Sequence, residues 1–517
     1  MDQLQRLTAG DLVHLAPELT LVISAIVLSL LDLFMPRSFN RTVLGWLALV
    51  SVGISAVFVL GDISALNRID DATGLVMPTE PVSLLGGSWR VDDYANLFKL
   101  LFLGGTALIL IMSIGNVKED EIPHKGEFYY LFLPATIGAM VMASSGDLIT
   151  LFVGLELLSI TSYVLVGMRK KSFSSNEAAF KYVVMGGISS AVILYGMSFL
   201  YGMSGSTNLA EINRALSSNY AAFEPLIYVS FFLLLAGFGF KIAAAPFHMW
   251  APDVYQGSPT PVTAYLAVVS KAAGFAITFR VLYSVFGLGG LISQQIHTDA
   301  FTATMVVAAA AMIFGNFIAL RQKNMKRLLA YSGIANAGYL LVPIGTQFGM
   351  VHFSNFSEMF FYLIAYLFMN IGAIAVYMIV SDSSRSEDIS AFAGLYYRAP
   401  ATAVAMVVLI LSLAGLPVTG GFFGKLYIML GTLQLQHYWL AAIMIGTSVI
   451  SFYYYFSIIR QMFLRSGEVE AEIKSSPTAQ ITVWICVAAT LLTGFFPHVV
   501  LRYIETIFSV PIDLFIS

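Results

Sequence analysis

Cysteine is nearly absent from this chain, and so is charge. The single cysteine, Cys486, lies inside an apolar run. One thiol excludes a disulfide within the chain, a thiolate-held iron–sulfur cluster and a four-cysteine zinc site. Charged residues make up 11% of the chain, against roughly a quarter in soluble domains. A net charge of −3 with no long basic block argues against a nucleic-acid partner. No glycine-rich dinucleotide fingerprint and no evident pair of haem ligands can be found. The segment before the first apolar run is polar and acidic, without a basic leader or small-residue cleavage site, so no removable signal peptide is expected.

What fills the space is hydrocarbon-compatible: 58% of residues are hydrophobic and mean hydropathy is +0.81, which places the chain in a bilayer. Apolar stretches of spanning length fall at about 15–35, 43–60, 94–114, 128–143, 148–168, 178–201 and 226–250. Others follow at about 262–285, 302–320, 328–344, 359–380, 402–430, 438–463 and 481–500. They succeed one another too closely for an extramembrane domain. The reading is an all-α polytopic membrane protein with about 14 transmembrane helices, one membrane domain over 1–517.

Orientation follows from lysine and arginine in short loops. Loops after odd-numbered spans hold Arg37 and Arg41, Lys118 and Lys125, Arg169 to Lys171, Arg321 to Arg327, Arg385 and Arg398, and Arg460, Arg465 and Lys474. The opposite loops hold Arg68, Arg90 and Arg214. Odd loops are therefore cytoplasmic, and both termini face outward. The loop after the seventh span departs from this with Asp253 and no basic residue, which points to packing against protein.

Charge inside the spans is the informative feature. In FKIAAAPFHMWAPDVYQGSPTPVTAYLAVVSKAA, Lys241 stands in an apolar run broken by Pro246 five residues later, and His248 and Trp250 follow. After a turn-forming segment at 252–261 the run resumes around Lys271. A lysine at a helix centre is disfavoured by roughly 2.5–3.5 kcal/mol. Snorkelling to the interface suits lysines near helix ends; these two stand ten or more residues into their runs. Glu156, near the middle of the fifth span, is either a protonated carboxyl bonded to a neighbouring helix or the partner of Lys241. Opposite charges about 4 Å apart attract by roughly 4 kcal/mol at an effective dielectric of 20. Glu177 and Lys181, four residues apart at the cytoplasmic edge of the sixth span, form a surface pair or an entry relay.

The twelfth span repeats the theme. Gly415, Pro417, Gly420, Gly421 and Gly424 crowd around Lys425. Such density frees backbone groups in mid-membrane, which is tolerated where protein or water satisfies them. Close helix packing through small residues is the alternative, and it leaves Lys425 unexplained. Discontinuous helices 7 and 12, five spans apart, predict two inverted five-helix repeats at about 127–286 and 300–463, flanked by helices at 15–114 and 481–500.

The run PFHMWAPDVYQGSPTPVTAYLAVVSKAAGFA, with LITLFVGLELLSITSYVLVG, EAAFKYVVMGGISSA, NMKRLLAYSGIANAGYLL and LSLAGLPVTGGFFGKLY, resembles the antiporter-like membrane subunits of bacterial NADH:quinone oxidoreductase, respiratory complex I. DVYQGSPTPV followed by VSKAAGFA is similar to the N-type branch more than to the L or M types. The resemblance implies a proton relay in which Glu156 and Lys241 pair, Lys271 is the central lysine and Lys425 leads to the outer exit. Lys181, Glu177 and His248 are auxiliary. It implies no cofactor on this chain, with NADH, FMN, iron–sulfur clusters and quinone on partner subunits. The implied neighbours are M-type and K-type membrane subunits, in a bacterial plasma membrane. A self-sufficient cation/proton exchanger using the same lysines is the competing reading, and a structural spacer a third.

Overall fold

The computed structural model describes residues 9–36, 39–69, 76–78, 80–287, 293–346, 354–465, 473–508 and 513; Arg37, used above for orientation, lies outside them. Among the described residues, thirteen helices are long and apolar enough to cross a membrane. A further crossing is made in two pieces, Pro400–Ala414 and Gly420–Gln434. In chain order the first six crossings are Ala16–Phe34, Thr42–Leu66, Asp93–Ser113, Lys125–Ser144, Leu148–Val166 and Phe173–Ser204. The seventh to eleventh are Leu209–Lys241, Thr260–Phe286, Gln294–Ala319, Met325–Gly345 and Asn355–Ser384. The broken twelfth is followed by Tyr438–Leu464 and Pro477–Phe495.

The helical expectation omits two small antiparallel hairpins between the second and third helices, Asn67–Ile69 with Val76–Pro78 and Val82–Leu84 with Trp89–Val91. It also runs the last span too far. Pro497 cannot continue the ladder of Pro477–Phe495, so a separate helix, Pro497–Ile507, follows.

Burial is graded across the bundle. The eighth helix is wholly enclosed by protein, whereas only 22% of the first is covered. Lys271, on the eighth helix, therefore has protein around it on every side. Exposed apolar side chains such as Phe180, Ile188 and Phe232 sit on outer helices, where hydrocarbon is the solvent. Helices approach one another through small residues, because lipid supplies no hydrophobic drive. A Cβ on Gly315 of the ninth helix would lie 2.5 Å from the backbone nitrogen of Ala335 on the tenth.

The seventh crossing breaks earlier than expected, at Lys241 itself. Ala243 takes a positive φ of 56°, and the Ala245–Pro246 peptide is cis. The indole of Trp250 donates to the Phe240 carbonyl at 2.9 Å, satisfying one group that the break frees. The segment at 252–261 is not simply a turn: Trp250–Gly257 is helical, with Pro252 in its first turn, where a missing N–H costs nothing. The eighth crossing contains a π-helical stretch, Leu266–Ser270, immediately before Lys271. Such insertions recur at functional sites.

Candidate functional site: a row of enclosed lysines between two broken helices

Lys241 is 5% exposed and ends the seventh helix. Its ammonium donates to Ser159 Oγ at 2.9 Å on the fifth helix. Ser159 lies one turn beyond Glu156, on the same helical face. Among the described residues the ion pairs within 4.0 Å do not include Glu156 with Lys241. Among the described residues one Glu156 oxygen, Oε1, is buried without a hydrogen-bond partner.

The end of the seventh helix packs against the eighth beside Lys271. A Cβ on Gly274 would touch Lys241 Cγ at 3.2 Å, and Gly274 sits one turn past Lys271. Lys271, 2% exposed, donates to the Gly333 carbonyl of the tenth helix at 2.8 Å and faces the Tyr366 ring at 5.8 Å. The lack of a side chain at Gly333 leaves room for this approach, since a Cβ there would lie 2.9 Å from the Lys271 amine and 3.0 Å from the Tyr366 hydroxyl.

The tenth helix carries the row onward. Asn336, three residues past Gly333, accepts from the Tyr362 hydroxyl at 2.5 Å and donates to the Ser332 carbonyl. Tyr339, three residues further, places its ring 4.8 Å from the Lys425 amine. Lys425 donates to the carbonyls of Leu413 and Ala414 at 2.9 and 3.4 Å. Those carbonyls are free because the twelfth helix stops at Ala414, with Gly415 at φ 85°.

The remaining predicted residues lie towards one end. Lys181 pairs with Glu177 at 2.8 Å and also with Asp253 at 2.8 Å, while Arg327 holds the other Asp253 oxygen at 2.5 Å. The loop after the seventh helix thus imports its basic partners from the sixth and tenth helices, as its lack of lysine and arginine implies. Burial pushes the Asp253 carboxyl up, but Lys181 and Arg327 outweigh it and hold it below its ordinary value. His248 is half-buried in the break after Lys241, its ring 6.4 Å from Tyr331. Among the described residues its Nδ1 makes no hydrogen bond within normal geometry, with the Pro246 backbone beside the ring.

Sequence reasoning passed over several buried charges because they sit near helix ends or in loops. Lys99 meets Glu18 at 2.9 Å between the third and first helices, both shielded. Arg280 binds Asp92 through two nitrogens at 2.9 and 2.8 Å. Asp92 also caps the third helix by accepting from Ala95, and although burial raises its carboxyl, Arg280 and Arg90 hold it below the usual range. Lys326, counted above as a loop residue, is 1% exposed. Ser159 was findable from its spacing to Glu156; the Gly333 carbonyl had no signal in sequence. Among the described residues no three His, Cys, Asp or Glu side chains are placed to hold a metal ion.

With this geometry in view, the likenesses to known proteins are informative. Residues 145–451 match the family model described as NADH:quinone oxidoreductase/Mrp antiporter, TM. The chain is therefore an antiporter-like transmembrane subunit. It is 52% identical to NADH-quinone oxidoreductase subunit N of a Paenibacillus species over the whole of both chains. It is 50% identical to subunit N of Brevibacillus brevis, over 97% of this chain and 96% of that one. The chain belongs to the subunit N family of bacterial NADH-quinone oxidoreductases. A chain of respiratory complex I from Thermus thermophilus superimposes with a TM-score of 0.77 at 30% identity, covering 95% of this chain and 99% of that one. A chain of the Mrp complex from a Dietzia species shares the fold, with a TM-score of 0.81 at 18% identity over 97% and 98% of the two chains.

Proposed function

We propose that this chain is the proton-translocating, antiporter-like N-type subunit of a bacterial complex I, and that Glu156, Lys241, Lys271 and Lys425 are its relay. The observation that supports the reading is that Lys271 is held by the Gly333 carbonyl and Lys425 faces the Tyr339 ring, two groups six residues apart on the tenth helix. A desolvated amine releases its proton more readily than one in water, and small changes in neighbouring charge move it. Coulomb attraction to Glu156 is adjustable, because the carboxylate does not itself hold the amine. A signal that draws Glu156 away from Lys241 loosens the Lys241 proton, repulsion between Lys241 and Lys271 drives it onward, and Lys425 passes it to the outer side. Glu177, Lys181 and His248 assist at the cytoplasmic end.

In this reading the chain does no redox chemistry. NADH, FMN, iron–sulfur clusters and quinone reside on partner subunits, and M-type and K-type membrane subunits are its neighbours in the plasma membrane. Both termini face outward. Residues 127–286 and 300–463 are the two inverted repeats, a division supported by helix breaks five crossings apart. The test is proton translocation by assembled complex in proteoliposomes carrying Glu156→Ala with Lys241→Ala. Pumping per electron should collapse; unchanged pumping would remove the assignment. The competing exchanger reading requires ion exchange by the isolated chain in liposomes, where this one requires little or none.

A further inference from the structure

Three separate parts of the chain converge at the end of the eighth helix that the loop charges assign to the outside. Arg280, on that helix and 1% exposed, binds Asp92 through two nitrogens at 2.9 and 2.8 Å. Asp92 follows the hairpin strand Trp89–Val91, and Arg90 of that strand meets the same carboxylate at 3.2 Å. Asp513, beyond the last helix, accepts from the Asp93 backbone nitrogen at 3.1 Å, and its carbonyl accepts from Arg90 at 3.4 Å.

Immediately inward the packing turns aromatic. The Arg280 guanidinium lies over the Tyr94 ring, 4.6 Å from its centroid. Tyr94, Phe98, Phe279, Tyr283, Phe356 and Phe508 form one contiguous layer, each at most 5% exposed. Neighbouring ring centroids stand 5.0 Å apart for Tyr94 and Phe98, 4.3 Å for Phe279 and Tyr283, 5.2 Å for Tyr94 and Phe356, and 3.9 Å for Phe356 and Phe508. The hydroxyls in the layer are committed to main chain. Tyr94 donates to the Ala276 carbonyl at 2.5 Å, and Tyr283 bonds those of Pro343 and Ile344 at 3.3 and 3.2 Å. A buried water needs about two to four polar partners, and such a layer leaves it little to bind.

Lys271 lies on the inner side of this layer. Phe275 and Phe279 follow it one and two turns along the same enclosed helix, and Arg280 stands nine residues, about 13 Å, beyond it.

We infer that this aromatic layer, closed on its outer side by the Arg280–Asp92 pair, is a proton-tight septum that insulates Lys271 from the outside. This rests on the relay proposed above, since only a proton-carrying amine needs insulating. A thread of water on this side would return protons from the outside to Lys271 and dissipate the gradient without electron transfer. The rings deny that thread, and the guanidinium seated on Tyr94 disfavours a cation at its mouth. The pair also pins the hairpin and the third helix to the eighth, which keeps the layer closed.

The test is passive leak. Assembled complex in proteoliposomes, without NADH, is given a pH gradient whose collapse is followed with a trapped pH dye, and potassium efflux is measured beside it. Phe279→Asn, which offers water a partner inside the layer, and Arg280→Gln should each speed proton leak about tenfold, with potassium efflux unchanged. Phe279→Leu, which keeps the layer apolar, and Arg280→Lys, which keeps the charge, should leak at the parent rate. Where Arg280→Gln alone does not assemble, its combination with Asp92→Asn removes both charges of the pair together and gives the same readout. Adding Lys271→Met to Phe279→Asn should return the leak to the parent rate. A parent-rate leak in either leaky variant, equal leak in Phe279→Leu, potassium escaping in step with protons, or leak that survives Lys271→Met overturns the septum. The relay is judged apart, by NADH-driven pumping. Normal pumping by the Lys271→Met complex removes the relay; an inactive Lys271→Met complex beside a tight Phe279→Asn complex leaves the relay standing and removes the septum.

Discussion

The two broken helices hold their lysines in different ways. Lys241 is bound by the hydroxyl of Ser159, one helical turn from the titratable Glu156, so moving one acid can alter its environment. Lys425 is bound by two main-chain carbonyls and an aromatic face, none of which can change charge. The first half of the molecule is therefore a place where a signal can be received. On the relay proposed above, the second half passes on protons that reach it from Lys271. One break thus holds its lysine through a side chain and the other through main-chain carbonyls.

The most damaging changes remove the amines. Lys241→Met and Lys425→Met should each lower proton translocation at least about tenfold in assembled complex. The comparison is sharpened by adding Glu156→Gln to each. On Lys241→Met it should have no further effect, because the group it acts through is gone. On Lys425→Met it should still change the residual rate. Equal effects in both backgrounds would mean that Glu156 does not act through Lys241.

Next in size is Ser159→Ala. It removes a hydrogen bond to a charged group, worth about 1.5–3 kcal/mol, and leaves Lys241 dependent on Glu156. Pumping should fall and become more sensitive to Glu156→Gln, which a double-mutant cycle measures. Gly415→Ala tests the other end. Its φ of 85° disfavours any side chain by roughly 1–2 kcal/mol, and a Cβ would lie 3.2 Å from Lys425 Cδ. Thermal stability of the complex should drop modestly, and translocation should drop with it. If Gly415→Ala leaves both unchanged, the backbone is not what holds Lys425.

How much of this is written in the residue order depends on where each partner lies. The breaks are legible because proline and glycine act locally: Pro246 and the glycines around Lys425 cannot sit in an uninterrupted helix. The lysines are legible because hydrocarbon makes charge conspicuous. The partners are not, since Ser159, Gly333 and Tyr339 come from other helices and owe their roles to packing. The π-helical stretch before Lys271 carries no local marker, as LAVVS reads like any apolar turn. Charges at helix ends, such as Lys326 and Arg280, read as surface groups until the helices around them close.

The smallest expected effect concerns how the adjustable end is anchored. Asp253 ties the helix in the seventh break to Lys181 and Arg327, and its carboxyl sits below the ordinary value. A carboxyl so lowered contributes stability that is fully present above the unfolded value of about 3.9 and disappears as pH falls through the folded value. The site is about one-third exposed, so water screens it and the contribution is at most about 1 kcal/mol. As pH falls below about 4 the Asp253 end of the seventh break should loosen and become accessible to protease, while the backbone-held twelfth break should not. Asp253→Asn should already show the loosened pattern at neutral pH and add little on acidification. If the variant and the parent lose protection along the same pH curve, the acid sensitivity belongs to other carboxylates, and the contrast between an ion-tied break and a backbone-tied one fails.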